Sequence, residues 1–130
     1  MQASQPLFSI VIANFNHGPF LEEALISVLN QSCQDFELIV VDGGSTDGSV
    51  DIIKRYAPKL AWWVSEPDSG QSQAFNKGFY HATGQFFFCL NADDLLLAGS
   101  LERIRSVINQ QPDCLWLAGN TIFFTEEGKV

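Results

Sequence analysis

The sequence FCLNADD, residues 88–94, carries an apolar run into two adjacent carboxylates, Asp93 and Asp94. The run predicts a strand that is buried on both faces of a sheet, so the two acids follow where the chain leaves the core. Neighbouring carboxylates repel each other, and a divalent cation, which prefers oxygen ligands, is the usual compensation. A second strand-like run, residues 38–41, also ends in an acid, Asp42. Two buried strands that end in acids indicate a site at one edge of a sheet.

Composition limits the class of protein. A chain of 130 residues with 46% hydrophobic residues predicts one domain with a real core. The apolar runs are too short to span a membrane, and residues 1–6 lack the basic and apolar regions of a secretory signal. We therefore expect a cytoplasmic protein, or one at the inner face of the membrane as part of a longer chain. The net charge of −8 argues against nucleic acid as a partner. The three cysteines match no zinc or redox motif, and we expect buried, reduced thiols.

Strand-like runs alternate with helical patterns along the chain. The predicted strands cover residues 8–13, 37–41, 60–64, 85–90 and 114–117, and a last apolar piece at 122–124 runs into a turn signal at 126–129. Pro19 marks the start of the first helix, Pro58 the end of the second, Gly84 the C-terminal cap of the third and Pro112 the end of the fourth. This alternation predicts an α/β fold, a doubly wound, mostly parallel sheet with helices on both faces.

The expected strand order gathers the polar strand ends. In the usual doubly wound order, strands 3-2-1-4 lie side by side and ligands bind at the carboxyl edge between strands one and four. Three loops then meet at that edge, residues 14–16, 42–45 and 91–94.

Several motifs in series resemble those of family 2 glycosyltransferases. SIVIANFN at residues 9–16 resembles the opening strand of the family, ELIVVDGGSTDG at 37–48 its second motif, and NADD at 91–94 its DxD-type metal motif. SEPDSGQ at 65–71 and NKG at 76–78 resemble its third-strand loop and third helix. The resemblance covers nearly the whole chain in the right order. It implies the Rossmann-like GT-A fold and transfer of a sugar from a nucleoside-diphosphate donor.

The resemblance also implies roles for individual residues. Asp94 would hold Mg²⁺ or Mn²⁺ between the phosphates, with Asp93 as a second metal ligand or a ribose contact. Asp42 would accept a hydrogen bond from the base or the ribose, and Phe15 would stack on the base. The nucleotide-binding set carried over in this way comprises Asn14, Phe15, Asn16, Asp42, Gln71, Asn76 and Asp93.

Other interpretations of these residues remain open at this point. Phe15 is either a stacking face or a core residue. Asn76 and Lys77 are either donor contacts or surface residues of the third helix, and Asp47 fits a helix cap better than a ligand. The chain also departs from the family, because many members have Pro-Thr at Ala13-Asn14 and a second acid at Gly43. The identity of the base therefore does not follow from the sequence.

The expected activity is an inverting transfer to a carbohydrate or lipid-linked acceptor, in polysaccharide or glycoconjugate synthesis. The family places its catalytic base after the portion that this chain resembles, so we expect the base beyond Val130 and an incomplete donor-binding domain. An apolar surface around Trp116, Ile122, Phe123 and Phe124 would then be exposed and would favour self-association.

Two other classes of protein compete with a transferase. A non-catalytic module that binds nucleotide sugars would share the same motifs without the base. A receiver-type signalling domain also has a doubly wound sheet and clustered acids, but its acids follow strands one and three, whereas here they follow strands two and four. A dinucleotide dehydrogenase is disfavoured because the first turn, residues 14–18, has no glycine-rich fingerprint, and no Walker lysine loop occurs.

Overall fold

Strands and helices alternate along the chain in the predicted order. The computed structural model describes residues 4–124. The elements are β1 (Phe8–Asn14), α1 (Gly18–Leu29), β2 (Phe36–Asp42), α2 (Ser49–Tyr56), a short 3-10 helix (Ala57–Lys59), β3 (Trp62–Ser65), α3 (Gln71–Tyr80), β4 (Phe86–Asn91) and α4 (Ser100–Gln110). Within the described part of the chain, no helix is long and apolar enough to cross a membrane.

The four strands form one parallel sheet in the order β3-β2-β1-β4, which confirms the predicted order. Register brings the carboxyl ends of three strands level. Asn14 at the end of β1 pairs with Asp42 at the end of β2, and Ala13 pairs with Asn91 at the end of β4. The loops that follow these strands therefore leave the sheet side by side, as the sequence predicts.

Both faces of the two central strands are covered. On one face, Ile10 and Ile12 of β1 pack in a core cluster with Leu21 and Leu25 of α1 and Leu101 of α4. The alternate residues of β1 face the other way, where Val11 and Ala13 pack with Ala74 of α3. The alternation follows from the pleat of a strand, which points successive side chains to opposite faces.

Two glycines allow close packing against β1. A Cβ at Gly78 of α3 would clash with the branched side chain of Val11, so only glycine lets the helix lie this close to the strand. The expected role of Gly84 as the cap of α3 is wrong. The helix ends at Tyr80, and a Cβ at Gly84 would lie 2.7 Å from the Ser9 amide nitrogen, so this glycine serves a close approach of two backbone segments instead.

The expectation that β4 is buried on both faces is also wrong. Phe87 is 55% exposed, and Cys89, which was expected to be buried, is exposed as well. The reason is position in the sheet. β4 lies at an edge, whereas α3 packs mainly over β1 and β2, so one face of β4 has little cover. An apolar run in the sequence does not reveal which strand takes the edge.

The predicted fifth strand does not form. Residues 114–117 and 122–124 have no strand structure, and residues 126–129, the expected turn, lie outside the described residues. A strand needs a neighbour that pairs its backbone groups, and among the described residues the 114–117 segment pairs with none. Its apolar side chains instead face outward, with Leu115 93% and Trp116 86% exposed.

We expect the 130-residue chain to self-associate. Trp116, Ile122, Phe123 and Phe124 are all at least half exposed, as the sequence predicts, and exposed apolar surface favours association. Sedimentation velocity should show a weight-average mass that rises with concentration. Replacement of Trp116 and Phe123 by serine should shift the equilibrium toward monomer, whereas Tyr80→Ser, at an exposed aromatic position on α3, should not. A monomer at all concentrations would contradict this prediction.

Candidate functional site

A cavity of about 740 Å³ opens at the carboxyl edge of the sheet. Loops that follow all four strands contribute to its wall. Its lining includes Asn14, Phe15, His17, Gly43, Gly44, Asp68, Gly70, Gln71, Asn91 and Asp93. Its volume lies in the range of small-molecule and cofactor sites, and its place at the carboxyl edge is where doubly wound sheets bind ligands.

The buried carboxylate of Asp42 holds together the strand ends and loops at this edge. The side chain is fully buried and accepts five hydrogen bonds. Its Oδ1 atom accepts from Asn14 Nδ2 at 2.7 Å and from the Ser45 hydroxyl at 2.6 Å. Its Oδ2 atom accepts from the Ser65 hydroxyl at 2.7 Å and from the Gly44 and Ser45 amides at 3.1 and 2.8 Å. One side chain thus joins the ends of β1, β2 and β3.

These bonds keep Asp42 ionised. Burial by itself would raise the pKa of this carboxyl, but hydrogen bonds from Ser45, Ser65 and Asn14 stabilise the charged form, and the pKa lies below its ordinary value. Asp42 does not line the cavity, and both oxygens already accept bonds from the protein. Its expected contact with the nucleoside therefore stays a prediction, and its role in the described structure is to hold the loops.

Asn16 also connects loops. It adopts a left-handed backbone conformation with φ of 54°, which asparagine tolerates better than most residues. Its amide donates to the Ser45 hydroxyl at 2.8 Å, and its Oδ1 atom accepts from the Thr46 amide at 2.9 Å. The side chain ties the loop after β1 to the loop after β2 and does not line the cavity.

Asp47 accepts hydrogen bonds at the starts of two helices, although the N-cap residues themselves are His17 for α1 and Gly48 for α2. Its Oδ2 atom accepts a hydrogen bond from the amide of Gly18, the first residue of α1, at 2.8 Å, while Oδ1 accepts from Ser49 at the start of α2. The Ser49 hydroxyl and the Gly18 amide hold the pKa of Asp47 below its ordinary value. The bonds tie the start of α1 to the start of α2.

Of three other residues predicted to bind nucleotide, two line the cavity and one does not. Phe15 lines the cavity with 59% of its surface exposed, so it does not serve the core. Gln71, the first residue of α3, lines the same cavity. Asn76 lies elsewhere, in a smaller cleft with Lys77, which forms an ion pair with Glu66 at 3.0 Å. Five positions along a helix turn a side chain well away from the starting direction, which explains the separation of Asn76 from Gln71.

The acid pair occupies a tight turn at the end of β4. The Asp94 amide donates to the Asn91 carbonyl at 3.0 Å. Asp93 and Asn91 line the cavity, whereas Asp94 is exposed and follows the turn outside the lining. In residues 4–124, no group of three or more histidine, cysteine or acidic side chains stands ready to hold a metal. Any cation here would share its coordination with the ligand.

Among the titratable residues of the lining, sequence reasoning left Asp68 and His17 without a role. Asp68 lies in the loop between β3 and α3, and its carboxylate stands over Gly43. A signal was present, because a parallel β3 ends at the same edge as β2, and an acid shortly after it should lie near the same cavity.

The charge of the cavity defines what can bind there. Its described lining holds two carboxylates, Asp68 and Asp93, and no lysine or arginine. An anionic ligand would meet repulsion unless a cation came with it, and carboxylate oxygens suit Mg²⁺ or Mn²⁺. Asp93 could offer a carboxylate oxygen to such an ion, and the bound ligand would have to complete its coordination. The start of α3, which also faces the cavity, adds the positive end of a helix dipole.

Fold and cavity define a class, the α/β proteins that bind a ligand at the carboxyl edge of a doubly wound sheet. The sequence model of the family described as Glycosyl transferase family 2 matches residues 9–127, so the chain belongs to this family. It is 38% identical over 121 residues to the PGL/p-HBAD biosynthesis glycosyltransferase of Mycobacterium tuberculosis, which covers 90% of this chain and 47% of that relative. An uncharacterized glycosyltransferase of Haemophilus influenzae is 32% identical over 128 residues, 96% of this chain and 51% of the relative.

Solved structures share the fold. The mannosyltransferase PcManGT from Pyrobaculum calidifontis, in complex with GDP-Man and Mn²⁺, has a TM-score of 0.66 and 32% identity over 74% of this chain and 30% of that one. S. aureus TarS 1-349 in complex with UDP-GlcNAc has a TM-score of 0.74 and 25% identity over 82% of this chain and 32% of that one. The predicted GT-A fold is confirmed. The chain spans about half the length of the curated relatives it matches.

We expect Asp42→Asn to destabilise the domain and to remove part of its pH dependence. The asparagine side chain would turn an N–H₂ group toward amides and hydroxyls that now donate to the carboxylate. We expect this change to lower the free energy of unfolding by about 2–4 kcal/mol. Because the native pKa is lowered, the unfolded chain binds the proton more readily. The stabilisation by Asp42 is full above the ordinary pKa of 3.8 and is lost as pH falls through the native value.

Urea unfolding at several pH values measures both effects. The matched control is Asp113→Asn, at an exposed position after α4, which should stay within about 0.5 kcal/mol of the parent. Equal stability of the Asp42 and Asp113 variants at neutral pH would contradict the structural role of Asp42.

Proposed function

We propose that this chain supplies the donor site of a glycosyltransferase that moves a sugar from a nucleoside diphosphate to a carbohydrate or lipid-linked acceptor. The observation that carries the proposal is the acidic cavity at the carboxyl edge, in a chain that belongs to glycosyl transferase family 2. The neighbours solved with GDP-Man and with UDP-GlcNAc support a nucleotide sugar as ligand. Synthesis of a polysaccharide or glycoconjugate is the biological setting in this proposal.

Asp93, with Asp94 beside it, would hold Mg²⁺ or Mn²⁺ in this proposal. The lining position of Asp93 and the absence of lysine and arginine from the described lining support the assignment, as does the Mn²⁺ in the PcManGT complex. When bound, a divalent ion would neutralise the diphosphate and stabilise the charge that develops as it leaves.

The chain's own residues then bind and orient the donor. Phe15 offers an exposed aromatic face for the base. Gly43 and Gly44 keep the wall free of side chains, so the ligand can approach the backbone there. The amino end of α3, where Gly70 and Gln71 line the cavity, favours a negatively charged phosphate.

Transfer also needs a base for the acceptor hydroxyl, and we place it beyond Val130, as the family resemblance implies. The described lining holds only the Asp68 and Asp93 carboxylates, and Asp93 serves the cation in this proposal. An inverting reaction would place the base on the face of the sugar opposite the diphosphate, where it accepts the acceptor proton as the new bond forms.

We expect binding of UDP or GDP to depend on a divalent ion and on the acid pair. In calorimetric titrations with Mn²⁺, Asp93→Asn and Asp94→Asn should each weaken nucleotide binding at least about tenfold, because each removes a charge near the cation. The variants should fold normally, since both residues are exposed at a turn. Asp113→Asn serves as the control. Nucleotide binding that is unchanged in EDTA would refute the role of the metal.

We also expect the 130-residue chain to bind the donor without transferring the sugar. A radiolabelled nucleotide sugar, incubated with the chain and simple saccharide acceptors, should yield no labelled product, because we place the base beyond Val130. Slow release of free sugar by water would favour an enzyme's donor site over a non-catalytic binding module. Transfer to an acceptor by this chain alone would overturn the assignment of the base.

A further inference from the structure

The carboxylate of Asp68 and the ring of Phe15 meet over one glycine. A Cβ built at Gly43 would lie 3.1 and 3.2 Å from the two Asp68 oxygens and 3.3 Å from Phe15 Cδ2. All three residues line the cavity. The missing side chain at Gly43 therefore leaves the space in which an acid and an aromatic ring stand side by side.

Asp68 has acceptor capacity to spare. In the described part of the chain, its one hydrogen-bond donor is the Gly70 amide, which reaches Oδ1 at 3.0 Å. That bond holds the side chain in place and leaves Oδ2 available to a ligand. The side chain is half-buried, so a bond made there is stronger than one made in open water.

Asn14 supplies a second, independent sign of a ligand. The residue is 97% buried and lines the same cavity, and its Nδ2 atom donates to Asp42, which fixes the orientation of the amide. Its Oδ1 atom is buried and finds no hydrogen-bond donor among residues 4–124. Buried acceptors of this kind are almost always satisfied, so a donor from the ligand is expected.

We propose that Asp68, beside the stacking face of Phe15, selects a nucleobase whose ring edge carries an N–H group, namely uracil, thymine or guanine. This inference rests on the proposed function, because it assigns the base of the same donor. Each of these bases presents a ring N–H to a carboxylate. Adenine and cytosine present a ring nitrogen lone pair at that position, which the carboxylate repels.

The experiment is a calorimetric titration of the chain with UDP, dTDP, GDP, CDP and ADP, each with Mn²⁺. We expect at least one of the first three to bind about tenfold or more tightly than CDP and ADP, since a hydrogen bond to a charged group has about that effect. The comparison among UDP, dTDP and GDP identifies the base.

Asp68→Asn tests the residue itself. Asparagine can still accept from Gly70 through its oxygen, but it turns an N–H₂ group toward the base. The affinity for the preferred nucleotide should fall about tenfold, while the affinity for CDP or ADP should stay the same or rise. The ratio between the affinities for the preferred nucleotide and for CDP or ADP should therefore become smaller. A purely structural role would weaken all five nucleotides alike. Asp113→Asn is the control with the same change of charge, and it should leave all five affinities unchanged.

Gly43→Ala provides a second route to the same answer. The added methyl group displaces the Asp68 carboxylate and the Phe15 ring without removing a charge, and it should lower both affinity and discrimination. This variant decides the outcome if Asp68→Asn does not fold, which thermal melting followed by circular dichroism would show.

The possible failures can be told apart. Equal binding of the five nucleotides, or discrimination that is unchanged in both variants, overturns the role of Asp68 and leaves the donor site intact. Failure of every nucleotide to bind overturns the proposed function and this inference together.

Discussion

The buried carboxylate of Asp42 is the interaction on which the site depends. It ends β2, and its five hydrogen bonds reach the end of β1 through Asn14, the end of β3 through Ser65, and the loop before α2 through Gly44 and Ser45. A buried charge is costly unless it is fully hydrogen-bonded, so the loops that supply these donors have little freedom to move. A rigid rim at the carboxyl edge is the result.

That rim has an acidic lining, and its composition constrains the chemistry. Asp68 and Asp93 lie in the cavity without a lysine or arginine in its described lining. The lysine nearest in sequence to Gln71, Lys77, forms its ion pair with Glu66 in the neighbouring cleft. A diphosphate would therefore rely on a metal and on the amino end of α3 for compensation, and the base would meet acceptors, not donors, on the protein. The diphosphate would thus be bound by positive charge, and the base by hydrogen-bond acceptors.

Much of the fold could be predicted from the sequence, because hydrophobic periodicity and turn residues are local. The runs 8–13 and 37–41 lie within β1 and β2, and the order 3-2-1-4 follows from the alternation of strands and helices. The errors about burial and strand pairing have one origin. Phe87 and Cys89 were expected to be buried and residues 114–117 were expected to pair, but burial and pairing depend on a neighbour that the run itself does not encode.

The sequence by itself determined the family, the sheet order and the gathering of residues 14–16, 42–45 and 91–94 at one edge, because parallel strands end on the same side. Only the tertiary structure decided which side chains the cavity receives. Asn16 and Asp42 make contacts between loops, and Asn76 lines another cleft. Asp93 lines the cavity, whereas Asp94 does not. Asp68 enters because Gly43, 25 positions earlier, leaves room for its carboxylate. The space beside Gly43 arises from packing between loops that are distant in sequence, so no local sequence pattern predicts it.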